Sequence, residues 1–125
     1  MVTIRIKKSE RGVAVLISFD TDSSKFQSNY ERNKFFRNLY GWNQVINKSP
    51  EQHYEYHREG VLDKTPHLRV GNSMFIVPSE EVKKMMEFFD EWHRKVTLQM
   101  FKVMLEPGQL KLLEQRRNKN LEDEE

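Results

Sequence analysis

Three sets of side chains have the type and spacing to do chemistry. His53, Glu55 and His57 recur at every second position, and on a β-strand residues i, i+2 and i+4 project from one face. Two imidazoles and a carboxylate gathered in that way suit Zn²⁺, Mn²⁺ or Fe²⁺, and on a helix His53 and His57 would still meet at i, i+4. The plainer account makes them the solvent side of an amphipathic strand whose Tyr54 and Tyr56 face inward. No fourth ligand is evident. The second set is Asp20 and Asp22, just beyond the carboxyl end of an apolar run. Two carboxylates within reach of each other hold Mg²⁺ for phosphodiester chemistry. Yet Asp20-Thr21-Asp22-Ser23-Ser24 is also what the start of a helix requires, so capping alone explains both acids.

The third set is spread over residues 25–69. Lys25, Arg32, Lys34, Arg37, Lys48, Arg58, Lys64 and Arg69 are interleaved with Tyr30, Tyr40, Trp42, Tyr54 and Tyr56. Cations neutralise phosphates and aromatic faces stack exposed bases, so this span is the candidate surface for RNA or DNA. Lys34, Arg37, Trp42, Lys48, Tyr54, Tyr56, Arg58 and Arg69 are the residues expected to carry it. Glu31, Glu51, Glu55, Glu59 and Asp63 lie in the same span, which leaves a modest cationic excess. No glycine-rich phosphate loop, no Ser-His-Asp order of recognisable spacing and no zinc-protease helix accompanies these sets.

The elements that must position them follow from periodicity. Val2, Ile4 and Ile6 alternate with polar residues, the period of a half-buried strand. Ser9-Glu10-Arg11-Gly12 signals a turn, and the run Gly12 to Asp20 reads as an interior strand, so these two form an expected hairpin. A first helix is predicted over Lys25–Tyr40, with Phe26, Tyr30, Phe36 and Tyr40 on one arc, Leu39 at its edge and Gly41 as its C-cap. His53 to Arg58 suits an exposed strand between loops at 47–50 and 63–66. Ser73 to Val77 is a strand ended by Pro78.

Ser79 then caps a second helix whose Val82, Met85, Met86, Phe89, Trp92 and Val96 share one face. Phe88, off that stripe, would mark a partner surface. Residues 97–105 extend the helix or form a strand, and their β-branched, near-alternating pattern favours the strand. Pro107-Gly108 ends that element, and Gln109 to Asn120 reads as a polar terminal helix before an acidic tail. The expectation is an α+β domain over residues 1–106, a ferredoxin-like sheet with helices on one face and an extra N-terminal hairpin strand. Residues 107–125 supply the terminal helix and tail.

Composition narrows the classes. The chain has 125 residues, 11% of them aromatic, with six Met and no Cys. Disulfides, thiolate metal sites and cysteine nucleophiles are therefore excluded. No apolar run is long enough to span a bilayer and the opening residues do not read as a signal peptide, so a cytoplasmic location with no membrane partner is expected. The formal charge is +2. Setting aside the four carboxylates of Glu122-Asp123-Glu124-Glu125 raises it to +6, a moderately basic body.

One arrangement resembles a known family. An apolar strand ends in Phe19-Asp20, a helix follows, and Arg69-Val70-Gly71-Asn72-Ser73-Met74-Phe75 leads into a second helix and a further strand. This resembles the small ferredoxin-like subunit of the CRISPR adaptation complex and its relatives, the virulence-associated protein D ribonucleases. The resemblance implies a homodimer that binds nucleic acid. It also implies a metal-dependent nuclease whose paired aspartates straddle the dimer axis, with Asp20 at the aspartate position and Ser73 and Phe75 in the later signature. The chain departs from the pattern in its extra first strand, in the long segment between the first helix and Ser73, and in Asn72 where glutamine is usual. The leading expectation is a dimeric nucleic-acid-binding protein, with nuclease action through Asp20 and Asp22 and Mg²⁺ or another divalent cation. The alternative is a non-enzymatic interaction module or subunit of a larger assembly, contacting its partner through the terminal helix.

Overall fold

The structure, a computed structural model, describes residues 12–124, with side chains through residue 116. Strand β1 (Val13–Thr21) is the apolar run anticipated as interior, and it is flanked on both sides. On one side Ala14–Ser18 pairs antiparallel with β5 (Met74–Pro78); on the other, Val13–Thr21 pairs antiparallel with β6 (Val96–Met104). Strand β4 (Leu68–Gly71) completes an antiparallel sheet of order β4-β5-β1-β6. Both edges of β1 are thus filled from within the described residues, and the strand expected over residues 2–7 lies outside them. Residues 97–105 are strand, as their β-branched pattern favours.

Alternation along β1 assigns its two faces. Ile17 and Phe19 point to one side, where Phe75 and Val77 of β5 join them. Above them sit Phe35 and Leu39 of α1 (Asn29–Tyr40) and Met85, Phe88 and Phe89 of α2 (Val82–Asp90). Phe19 lies at the centre, with ring centroids 5.6 Å from Phe35, 5.5 Å from Phe89 and 6.4 Å from Phe75. Tilted and edge-to-face pairs of this kind add to simple area burial. Ala14 points to the other side, under Leu105 and Leu113, with Leu68, Ile76, Val103 and Leu110 beside them. The helix α3 (Pro107–Glu124) that contributes Leu110 and Leu113 therefore sits on the sheet face opposite α1 and α2, which corrects the expectation of helices on one face only. Arg116 reinforces it, donating from a guanidinium nitrogen to the carbonyl of His67 at 2.5 Å.

The helix boundaries follow local chemistry. Ser28, not the aspartate cluster, caps α1: its hydroxyl accepts from the Glu31 N–H at 3.2 Å. The Glu31 carboxylate accepts from the Gln27 N–H at 3.1 Å and also takes the ammonium of Lys95. Those hydrogen bonds, Lys95's first, hold the Glu31 carboxyl below the ordinary glutamate range. At the other end Gly41 has φ +78°, and its N–H donates to the Arg37 carbonyl at 2.8 Å. Three expected burial assignments are corrected. Tyr30 is 76% exposed because the helix turns Phe35 and Leu39, not Tyr30, onto the sheet. Phe88 is buried against Phe35 and Phe89, so it marks no partner surface, while Met86 of the anticipated stripe is exposed.

Between α1 and β4 the chain leaves this body. Strands β2 (Trp42–Ser49) and β3 (Gln52–Arg58) form a separate two-stranded sheet turning at Pro50 and Glu51, and every residue of β3 is exposed. A lone hairpin is marginal in water, so its root must hold it. Gly41 and Gly60 meet there so closely that a Cβ on Gly60 would lie 2.3 Å from the Gly41 nitrogen. Asp63, in the short helical turn Val61–Lys64, accepts from the Gly60 N–H at 2.8 Å and from the His57 ring at 2.8 Å. Among the described residues no helix is long and apolar enough to cross a membrane.

Candidate functional site

The hairpin sorts its side chains by register. Trp42 pairs with Arg58, Gln44 with Tyr56 and Ile46 with Tyr54, so these six share one face. Asn43 pairs with His57, Val45 with Glu55 and Asn47 with His53, which form the other. The strand period thus separates the two predicted sets: basic and aromatic residues on one side, the would-be metal ligands behind them.

On the first face each aromatic ring has a cation beside it. The Arg37 guanidinium, reaching from the last turn of α1, lies 4.4 Å over the Trp42 ring. Arg58 sits 5.8 Å from the Tyr56 ring and Lys48 5.2 Å from that of Tyr54. The Arg58 Nε–H also donates to the Gln44 side-chain oxygen at 2.7 Å, which fixes its direction. Tyr54 and Tyr56 stand with ring centroids 6.4 Å apart and planes 29° from parallel, and they are 42% and 45% exposed. They face solvent, not a core. Trp42 is only partly exposed and anchors the root. Lys34 lies one turn before Arg37 on α1, exposed and within electrostatic reach of Glu31.

Arg69 belongs to a different cluster. Its guanidinium lies 4.1 Å over the Tyr40 ring, Tyr40 stacks on Phe36 with planes 9° apart, and Arg32 covers Phe36 at 5.1 Å. The Tyr40 hydroxyl donates to the Asn72 carbonyl at 2.5 Å, and burial raises its pKa although Arg69 opposes that. Sequence reading missed this column as a unit. The signal was present, since Arg32, Phe36 and Tyr40 are spaced by four, the repeat of one helical stripe.

His53, Glu55 and His57 do share a face, but among the described residues no group of three or more His, Asp or Glu comes close enough to hold a metal ion. Both ring nitrogens of His57 are occupied, Nδ1 by the Asn43 amide oxygen at 2.8 Å and Nε2 by Asp63 at 2.8 Å. It ties the hairpin to its root. Asp22 caps the short helical turn Ser23–Lys25: one carboxylate oxygen accepts from the Ser24 N–H at 3.1 Å and from its hydroxyl at 2.6 Å. The bond from the Ser24 hydroxyl, then the backbone one, lowers its pKa. Asp20 is exposed on the sheet face away from α1 and α2, opposite Thr97 of β6. The residue before it, Phe19, donates its N–H to the Ser73 carbonyl at 3.0 Å, which draws the β4–β5 turn against this strand end. A cavity of about 340 Å³ beside the end of α2, lined by Met86, His93 and Thr97 among others, contains none of the predicted site residues.

No family model, no curated protein and no solved structure matches the chain.

Proposed function

We propose that this chain is a nucleic-acid-binding protein that takes RNA or DNA on the basic and aromatic face of its β2–β3 hairpin. One observation carries the reading: three aromatic rings on one face of the hairpin, two of them exposed, each with its own Arg or Lys. Phosphates attract the cations, and the rings offer flat surfaces to bases. Two exposed tyrosines on a two-stranded arm belong to neither core cluster, which supports reading them as a ligand surface. Lys48 and Arg58 lie beside their rings at distances that leave the nitrogens able to meet a phosphate.

The order β1-α1-β4-β5-α2-β6, with the hairpin inserted after α1, supports reading the main body as ferredoxin-like, a split β-α-β arrangement. The contact between Phe19 and the Ser73 carbonyl favours a second reading, the metal-dependent nuclease of the resembling family. There Asp20 of two copies would hold Mg²⁺ across a dimer axis. Cleavage of labelled RNA and DNA in Mg²⁺ or Mn²⁺ by the parent, abolished in Asp20→Asn, is its expected signature; equal cleavage by both removes it.

Fluorescence anisotropy of the full chain with labelled oligonucleotides, at 50 and 200 mM salt, tests the leading reading. Binding at the lower salt that weakens by roughly twentyfold or more at the higher is expected from release of counterions at about three phosphate contacts. No binding to any probe at 50 mM salt contradicts it.

A further inference from the structure

The spacing of the hairpin rings narrows the ligand, provided the hairpin face is a nucleic-acid surface at all. We infer that it receives an unstacked single strand, with neighbouring bases on Tyr54 and Tyr56 and the phosphates on Lys48 and Arg58. The two tyrosines are separated by 6.4 Å because they are successive same-face residues of one β-strand. Nucleotides stacked in a helix repeat at about 3.4 Å along each strand, roughly half that distance. A strand that places adjacent bases on adjacent rings must therefore be stretched and unstacked, which a base-paired duplex forbids. A side chain suited to reading a duplex edge, Gln44, is engaged by Arg58 within the hairpin.

Charge confines the strand to this face. Glu55 lies behind it with His53 and His57, and Glu51 stands at the turn, so a polyanion is attracted along the front and repelled at the back and tip. From Lys48 and Tyr54 the track runs through Tyr56 and Arg58 to Arg37, from the hairpin to α1. Two bases on the tyrosines, with phosphates reaching Lys48, Arg58 and on to Arg37, make a minimal ligand of about four nucleotides, the lower end of single-strand site sizes. Trp42 plays a different part. The Arg37 guanidinium lies 4.4 Å over its ring and the residue is half-buried, so it orients Arg37 and closes the root.

The test compares one 12-nucleotide sequence, as labelled single strand and as duplex, by anisotropy at 50 mM salt with the full chain. Single-strand binding at least about tenfold tighter than duplex binding is expected, and Tyr54→Leu and Tyr56→Leu should each weaken it by roughly tenfold. Both residues are exposed, so an unchanged circular dichroism spectrum and melting temperature should accompany the loss. Lys48→Gln should weaken both probes alike. Equal or tighter duplex binding, or tyrosine variants that bind as the parent does, overturns the single-strand inference while leaving nucleic-acid binding intact. Failure to bind either probe removes both.

Discussion

The aromatic residues of this chain fall into two regions that obey opposite rules. Around Phe19 the rings pack edge-to-face between sheet and helices, and Phe19, Phe35 and Phe75 have almost no solvent contact. On the hairpin, Tyr54 and Tyr56 stand in water with a cation beside each. In the first region ring–ring contact is the reason the fold exists. In the second the rings lie outside both core clusters. A residue type thus carries no functional meaning until its burial is known, and the informative aromatic is the exposed one on a rigid element.

This contrast can be broken most severely from the core side. Phe19→Ala should cost about 3–5 kcal/mol of stability by opening a cavity at the centre of the cluster, seen as an early urea midpoint. Loss of nucleic-acid binding there should track the unfolded fraction. A smaller effect is expected at the hinge between the regions. Gly41→Ala forces a side chain into φ +78° and sets a Cβ 2.4 Å from an Asp63 carboxylate oxygen and 2.6 Å from the Arg58 carbonyl. A cost of about 1–3 kcal/mol is expected, concentrated in faster amide exchange of β2 and β3 while β1 keeps its protection.

On the hairpin side, the triple variant Arg37→Gln, Lys48→Gln, Arg58→Gln should melt as the parent does. Its plot of log affinity against log salt should lose about two units of slope, since each phosphate contact contributes about 0.7 for a single strand. The smallest effect concerns pH. Glu31 has its folded pKa below the ordinary value of 4.5 through its bonds to Lys95 and Gln27, so it binds protons more readily when unfolded. Its stabilising contribution is present above that ordinary value and is lost as pH falls through the lower folded value. Glu31→Gln should therefore flatten the acid limb of a stability–pH curve by lowering stability modestly at neutral pH while changing little below the folded value of Glu31.

How much of this was legible in the sequence depends on what each segment buries. Strands β1, β5 and β6 were readable because burial wrote an apolar pattern into them. In α1 the adjacent pairs Phe35-Phe36 and Leu39-Tyr40 left the phase ambiguous by one residue, and the core took Phe35 and Leu39 while Phe36 and Tyr40 went to a flank under Arg32 and Arg69. The turn of α2 likewise carried Phe88 inward. Strand β2 was invisible because a hairpin with no core face has no hydrophobic period to display; Trp42-Asn43-Gln44-Val45 alternates in register only, not in polarity. For the site, residue types were legible and partnership was not. His57 met Asn43 and Asp63, which its spacing did not announce, whereas Asp22 met Ser24 in the capping role that the sequence allowed.

The central claim is that nucleic acid lies along the outward tyrosines of the hairpin. Photocrosslinking a bromouracil-substituted single strand to the full chain, followed by tandem mass spectrometry of the digested adduct, addresses it directly. Adducts on Tyr54 and Tyr56, in the peptide spanning β3, are the predicted result. Adducts confined to rings off the hairpin, such as Tyr30, or to the exposed Phe101 of β6, would place the strand elsewhere and contradict it.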